Sequence, residues 1–465
     1  MIRRPSAAFC SLLTAFIAGA GLRLWTLGFF EFKEEQFGNM LAGMDMPGRW
    51  FLVNHGIAST VGVPNGAGLF QIMGVLALLG ARTPFAFAAC GVVASIAAMV
   101  LFYQMLKRYG SGFARTGVWM LALLPSSVLL AANIWPHSYL GLLAVAILWL
   151  TTVAWERQSA GLWCCACGLT AWAGTVHLSA FFLLPGLAAV GEWMKLRRRI
   201  WAAAAGIVLV IVLPWLWHLC FQWDKTMYDV PVSKALWRIW SREFAGCFGG
   251  GWLSEYFADP VAPLAWIWSR RGGRVLLILA GGLPWIGVIR AGIALCRREE
   301  MPKIVSVAFA LTWSVIMGYT LLQTRLYFFY FVIMMPALIV MAAYGWSRLR
   351  LAWLRRGITV LWCVAALGVS VTALETLRYP GGHPLEYGPH IGFWNRCTAE
   401  LKAEQAVAPL CLDLAVEGPV GEKLSPHIVK YFLEPYHDPS GRPCRLTISY
   451  DPVRRCYEHR LVFAE

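Results

Sequence analysis

The 465-residue sequence predicts an all-α polytopic membrane protein of about eleven transmembrane helices, with a small extracytoplasmic α/β domain at its C-terminus. Three observations carry this expectation. Hydrophobic residues make up 58% of the chain against 14% charged, and mean hydropathy is +0.59. Apolar runs long enough to cross a hydrocarbon core of ~30 Å recur along most of the chain. Beyond the last run the character changes: charge, Pro and Gly rise, and short alternating segments such as Leu446 to Tyr450 appear.

In order, the expected spans are Ala7 to Gly28, Phe85 to Leu106, Gly112 to Ala132, Tyr139 to Ala154, Gly161 to Val176, Leu178 to Met194, Ile200 to Phe221, Val275 to Cys296, Ile304 to Leu322, Leu326 to Trp346 and Gly357 to Thr376. The first is preceded by Arg3 and Arg4 and contains small residues at Ala18 to Ala20, as a signal peptide does. It reads as a retained helix, because cleavage would detach it from the acidic stretch that follows. The organisation expected is a transmembrane domain over residues 1–377, with large outer loops at 29–84 and 222–274, and a C-terminal domain over 378–465.

The net charge of +15 is a topology signal before it is a binding signal, and it gives no reason to invoke nucleic acid. Lys and Arg gather at alternate connections: Lys107 and Arg108, then Arg157, then Lys195 with Arg197 to Arg199, then Arg297 and Arg298, then Arg348 to Arg356. These ends are expected to be cytoplasmic, together with the N-terminus, in a multi-pass plasma (inner) membrane protein. The two long loops and the tail then face outward.

Leu22 to Met44, LRLWTLGFFEFKEEQFGNMLAGM, is the most unusual stretch. It places Glu31, Glu34 and Glu35 within a few positions in an acid-poor chain. On a helix these three share one face, where like charges destabilise. The plain alternative is a solvated acidic face on an interfacial helix. Phe29, Phe30, Phe32 and Phe37 read as rings anchored at headgroup level. Farther on, Gly62 to Gly80 is apolar for too short a run to span and reads as a helix at the interface. Gly249 to Gly251 could form a hinge or a plain turn.

Three outward helix ends add polar groups: Asn133, Trp135, Pro136 and His137 in one; Thr175 and His177 in another; and Gln323, Arg325 and Tyr327 in QTRLYFFYF. Each has an ordinary reading as a helix-end hydrogen bonder or a snorkelling cation. Together they describe an outer pocket with a carboxylate side and a basic side. Cys397, Cys411, Cys444 and Cys456 in the outward tail are expected to form two disulfides. Cys164, Cys165 and Cys167 lie in an apolar span and read as small buried hydrophobes.

Several classes are disfavoured. The chain has no Gly-rich phosphate loop with Lys, no HExxH and no GxSxG. Its spans carry almost no charge, unlike ion-coupled transporters, and no inverted repeat is visible.

LRLWTLGFFEFKEEQFGNMLAGM resembles the first outer loop of the GT-C glycosyltransferases that use polyprenyl-phosphate sugars, the superfamily of protein O-mannosyltransferases and the lipid A aminoarabinose transferase. Arg23, the pair Glu34 and Glu35, and the turn Gly48 to Trp50 stand where those enzymes carry a basic residue, an acidic pair and a Gly-x-Trp-like turn. VPNGAGLFQIMGVLALLGARTPFAFAACGVVASIAAMVLFYQMLKRYG is similar to their interfacial helix and second span. GTVHLSAFFLLPGL and RLYFFYFVIMMPAL are similar to their His-containing and Arg-Tyr-containing helix starts. The chain departs in having Glu-Glu where Asp-Glu is usual, and NIWPHS lacks the second acid many relatives carry there.

The resemblance implies a GT-C-like fold and transfer of a sugar from a polyprenyl-phosphate donor to a lipid, glycan or protein acceptor, among membrane lipids and with no nucleic acid. A divalent metal ion is the cofactor it leaves open. It implies a carboxylate base, Glu34 first and Glu35 second, with Glu31 orienting from the same stretch. Arg325 is the expected donor-phosphate ligand, because a guanidinium grips two oxygens; Arg23, His177 and Tyr327 are further phosphate-binding candidates. The competing readings are a polysaccharide or lipid transporter or ligase using the same pocket, and a noncatalytic membrane assembly component.

Overall fold

The computed structural model describes residues 7–30, 32, 34–49, 54–57, 63–222, 247–248, 271–322, 328–378, 391–417, 426–451 and 456–463. The helices in order are α1 Ala7–Thr26, α2 Glu34–Asp45, α3 Gly68–Leu78, α4 Pro84–Leu106, α5 Ser111–Leu123, α6 Pro125–Leu129, α7 Pro136–Arg157, α8 Ala160–Val176, α9 Leu184–Trp193 and α10 Arg198–Phe221. They continue as α11 Arg271–Cys296, α12 Lys303–Leu322, α13 Met335–Ser347, α14 Ala352–Arg378, α15 Ile391–Gln405 and α16 Pro426–Leu433.

Among the described residues, 7 helical segments are long and apolar enough to cross a membrane: Ala8–Thr26, Pro84–Tyr109, Pro136–Arg157, Arg198–Phe221, Val275–Cys296, Lys303–Leu321 and Ala352–Glu375. The other four expected spans are shorter or broken. Pro125 splits the third into α5 and α6, because a proline has no N–H for the helical ladder. The fifth is α8, of 17 residues. The sixth and tenth each enter as a 3₁₀ turn, Leu178–Leu183 and Phe328–Ile333, before continuing as α9 and α13. Pro185 and Pro336 stand in the first turn of those two helices, where a missing N–H costs nothing.

Burial sorts the bundle. In α7 and α12 more than half of the spanning window is buried in protein, whereas in α10 only 11% is, so α10 lies at the edge of the bundle, packed against α8. The short helix α13 is buried on every side from Met335 to Trp346, as an apolar helix at a bundle centre is. It crosses α11 at small residues: a Cβ on Gly345 would come within 2.0 Å of the Gly287 carbonyl oxygen, so only glycine lets the backbones meet.

The tail carries β1 Leu410–Glu417, β2 Arg442–Asp451 and β3 Cys456–Phe463 in a sheet of order β1-β2-β3. β1 and β2 are parallel, joined through α16, and β2 and β3 are antiparallel. Leu410, Cys444, Leu446 and Ile448 are buried, and Cys397 and Leu401 of α15 belong to the same core.

The expectation of two tail disulfides needs correction. Cys397, Cys411 and Cys444 are free thiols, and the side chain of Cys456 lies outside the described residues. Cys411 is level with Pro443 and Cys444 with Leu412, so the two sulfurs leave opposite faces of the sheet.

Candidate functional site

The site is assembled around the C-terminal end of α1. Arg23 is fully buried, and its five N–H groups all have protein acceptors: Nε donates to Ser95 Oγ at 2.7 Å, Nη1 to the carbonyls of Gly19 (2.9 Å) and Ala122 (2.8 Å), and Nη2 to the Leu121 carbonyl (2.9 Å) and Ser127 Oγ (2.7 Å). The break at Pro125 explains this arrangement. The Leu121 carbonyl would accept from the N–H of residue 125, which proline lacks, and the chain leaves the helix at Leu124 before Ala122 finds its own donor. Arg23 therefore caps orphan carbonyls and fastens α1 to α4 and α5. This corrects the expectation that it grips a phosphate, because no donor is left over.

Beyond Thr26 the chain turns, and α2 begins at Glu34. Phe32 is non-helical, and Glu31, the third acid of the expected shared face, lies outside the described residues. Glu34 and Glu35 are the first two residues of α2, where the positive end of the helix dipole favours carboxylates. Glu35 is exposed, while Gln36, Phe37, Asn39 and Met40 are buried. Asn39 Nδ2 donates to the Ile134 carbonyl at 3.0 Å, which ties α2 to the connection leading into α7.

The phenylalanines of this stretch are not headgroup anchors. Phe29, Phe30, Phe32 and Phe37 are all buried in protein. Phe32 packs edge-on against Phe432 and Phe37 lies 5.1 Å from Tyr431, both on α16, while the Phe30 carbonyl accepts from the Ile391 N–H at 3.2 Å. The membrane-surface reading fails because the tail supplies the apolar partner.

The basic side of the expected pocket is a buried cluster. His137, in the first turn of α7, and His177, directly after α8, have ring centroids 4.6 Å apart. Tyr330, in the 3₁₀ turn before α13, lies 5.4 Å from His177, and the Tyr319 hydroxyl donates to the Tyr330 carbonyl at 3.0 Å. The Ser179 N–H donates to His177 Nδ1 at 3.3 Å, so the neutral ring carries its proton on Nε2. Arg325 and Tyr327 lie outside the described residues; Tyr330 follows them by five and three positions.

Asn65, in the connection between α2 and α3, bonds the backbone directly after His177. Its Oδ1 accepts from the Leu178 N–H at 3.1 Å, and its backbone pairs with Gly56 and Ile57. The neighbouring Gly66 is required by close approach, since a Cβ there would sit 2.6 Å from Thr175 Cβ. The same loop meets α10: the His55 and His218 rings stack at 4.1 Å, and Asn54 Nδ2 donates to Gln222 Oε1 at 2.7 Å. The Gly249 to Gly251 hinge and Trp50 lie outside the described residues. Among the described residues, no three His, Cys, Asp or Glu side chains are grouped to hold a metal ion.

No protein-family profile matches the chain, and no curated protein matches it in sequence. Two solved structures share its architecture. ArnT from Cupriavidus metallidurans in the apo state superposes with a TM-score of 0.55 at 13% identity, over 96% of this chain and 94% of that one. ArnT bound to undecaprenyl phosphate superposes with a TM-score of 0.53 at 12% identity, over 96% and 93%. The chain has the GT-C fold. At this identity the likeness shows architecture alone.

On the GT-C fold the sequence-expected residues divide into three groups. Glu34, Glu35 and His177 stand on segments that Asn39 and Asn65 tie to neighbouring helix ends. Arg23 is structural. Glu31, Arg325 and Tyr327 are undescribed. Asn39, Asn65 and Tyr330 are not legible as site residues in the sequence; the only signal is the Pro-Asn-Gly run at 64–66, which marks a turn.

Proposed function

We propose that the chain is an integral-membrane glycosyltransferase that moves a sugar from a polyprenyl-phosphate donor to a hydroxyl of a lipid, glycan or protein acceptor. The observation that carries this reading is the connection between the carboxylate pair at the start of α2 and the His137–His177–Tyr330 cluster, made through Asn39 and the Ile134 carbonyl. It supports a reading in which the candidate base and the candidate phosphate-binding groups belong to one site. The likeness to an ArnT that binds undecaprenyl phosphate supports the donor class.

The chemistry is a single inverting displacement. A carboxylate, Glu34 or Glu35, takes the proton from the acceptor hydroxyl as its oxygen bonds to the anomeric carbon. The bond from that carbon to the phosphate oxygen breaks, and polyprenyl phosphate departs with the electron pair. In this reading Arg325 and the Nε2–H of His177 receive the departing charge, and Tyr327 is a further phosphate-binding group. Glu31 orients the base. In the orientation proposed, the basic helix ends and the N-terminus are cytoplasmic, in a plasma (inner) membrane, and the site and tail lie on the extracytoplasmic face.

The test is transfer of radiolabelled sugar from a panel of polyprenyl-phosphate sugars by the purified full-length protein in bilayer nanodiscs. Release of polyprenyl phosphate in step with acceptor labelling is the expected result. Donor translocation without bond cleavage would establish the transporter reading instead.

A further inference from the structure

A cavity of about 670 Å³ opens at the opposite end of the bundle, between α1, α5, the end of α13 and α14. Ser11 on its wall lies fifteen positions before Thr26 in α1, roughly 22 Å along the helix from the candidate site. Its polar side is formed by Arg115, Arg355 and Arg356 with Ser11 and Thr359. None of the three arginines is in an ion pair among the described residues. No Asp or Glu is among the residues that line the cavity. Arg115 Nε and Arg355 Nη1 each reach only a backbone carbonyl, both at 3.4 Å, which leaves most of their donors available.

The other side of the cavity is apolar. Phe113 and Trp119 line it, and it runs out along Val360 and Val364 of α14, which are 62% and 57% exposed on the lipid-facing surface. We propose that this cavity binds an anionic phospholipid, a phosphodiester headgroup seated on the three arginines with its acyl chains leaving along Val360 and Val364. The volume falls within the ~300–1,000 Å³ of small-ligand pockets, enough for a glycerophosphate head and too little for the tails, which must continue into the bilayer. Three guanidiniums with no carboxylate among them select a negative head over a zwitterionic one. The headgroup arrives from the leaflet already in contact with this end of the bundle. This site is independent of the transfer reaction and of the outer pocket.

Native mass spectrometry of the full-length protein, released from neutral detergent with equal amounts of phosphatidylglycerol and phosphatidylcholine, tests it. One retained phosphatidylglycerol is expected, preferred on the order of 100-fold. The combined Arg115→Gln, Arg355→Gln and Arg356→Gln variant should lose the preference, and the corresponding Lys variant should keep most of it. Thr359→Trp, which fills the cavity and removes no charge, should abolish the adduct. Equal retention of both lipids, an unchanged adduct in the Gln or Trp variants, or displacement of the lipid by millimolar inorganic phosphate would overturn the proposal. The wild-type lipid comparison and the Trp variant decide the matter should the Gln variant fail to fold.

Discussion

The rings of Phe32 and Phe432 pack in a T-shape with centroids 5.8 Å apart, joining the stretch before α2 to the last helix of the chain. Trp394 of α15 stacks on the other side of Phe432 at 4.9 Å, so the contact continues into the core of the tail. The carboxylate-bearing segment is therefore held from two sides, by α1 within the membrane and by the tail outside it. Phe32 is fully buried, and Phe32→Ala is expected to cost about 3–5 kcal/mol. Phe432 is only partly buried, and its truncation should cost less. Limited proteolysis of the tail in membranes checks both; protection equal to wild type in Phe32→Ala would show that the contact contributes nothing.

Arg23 should behave as a fastener and not as a substrate ligand. Arg23→Gln leaves the carbonyls of Leu121 and Ala122 buried without donors, at about 1–3 kcal/mol each. The expected outcome is a lower thermal midpoint and less protein in the membrane. In the protein that survives, KM for the lipid-linked donor should be unchanged. A raised KM at normal stability would return Arg23 to the phosphate site.

The tail thiols give a pH signature. Burial holds the Cys397 thiol protonated, with its pKa pushed up to about 12 from an ordinary 9.0. As pH rises through 9 the unfolded chain loses this proton before the folded one, so the native tail binds more protons and its stability falls with pH from about 9 toward 12. Below 9 the contribution is fully present. Alkylation of native protein at pH 8 should leave Cys397 unmodified while marking exposed Cys10, Cys165 and Cys296 wherever the reagent reaches them. Non-reducing peptide mapping should find no bridge among Cys397, Cys411 and Cys444.

His55, stacked on His218, responds in the opposite direction. Desolvation and the neighbouring His218 hold His55 below its ordinary 6.5, so the folded state binds fewer protons than the unfolded one just below that pH. The link between the first outer loop and α10 is whole above pH 6.5 and weakens as pH falls. A histidine titration by NMR in detergent should place His55 below 6.5, and His218→Asn should move it back up.

How much of the molecule is legible in its sequence follows from the physics of each element. Span positions are legible because lipid demands long apolar runs, and the prolines at 125, 185 and 336 already mark where three of them break or begin. The burial of Phe32 and Phe37 is not, because their partners Phe432 and Tyr431 come from the far end of the chain. The role of Arg23 is hidden likewise: its acceptors are carbonyls freed by Pro125, and no local pattern links the two. Cysteine number suggests disulfides, but strand register puts Cys411 and Cys444 on opposite faces. Glu34 and Glu35 stand out because acids are rare in this chain, whereas Asn39 and Asn65, ordinary polar residues in loop-rich sequence, do not.

The carboxylates of α2 carry the last prediction. Glu34→Gln and Glu35→Gln keep the size of the side chain and the helix start, and remove only the charge and the basic oxygen. Favourable dipole interactions at a helix N-terminus are worth about 0.3–1 kcal/mol, so each variant should remain folded and abundant in the membrane. General-base catalysis is typically worth about 10²–10⁴-fold, and the variant that removes the base should lower kcat by a factor in that range with little change in KM. Glu34 is expected to show the full effect, and Glu35 the full effect if it is the proton acceptor in its place; Glu31→Gln should show a smaller one. Arg325→Ala should differ in kind, raising KM as well as lowering kcat, because the proposed mechanism has it hold the donor phosphate in both ground and transition states. Sugar transfer measured at equal membrane protein levels decides between these patterns. Near wild-type rates in all three glutamine variants would remove the carboxylate mechanism and favour a noncatalytic role for the outer pocket.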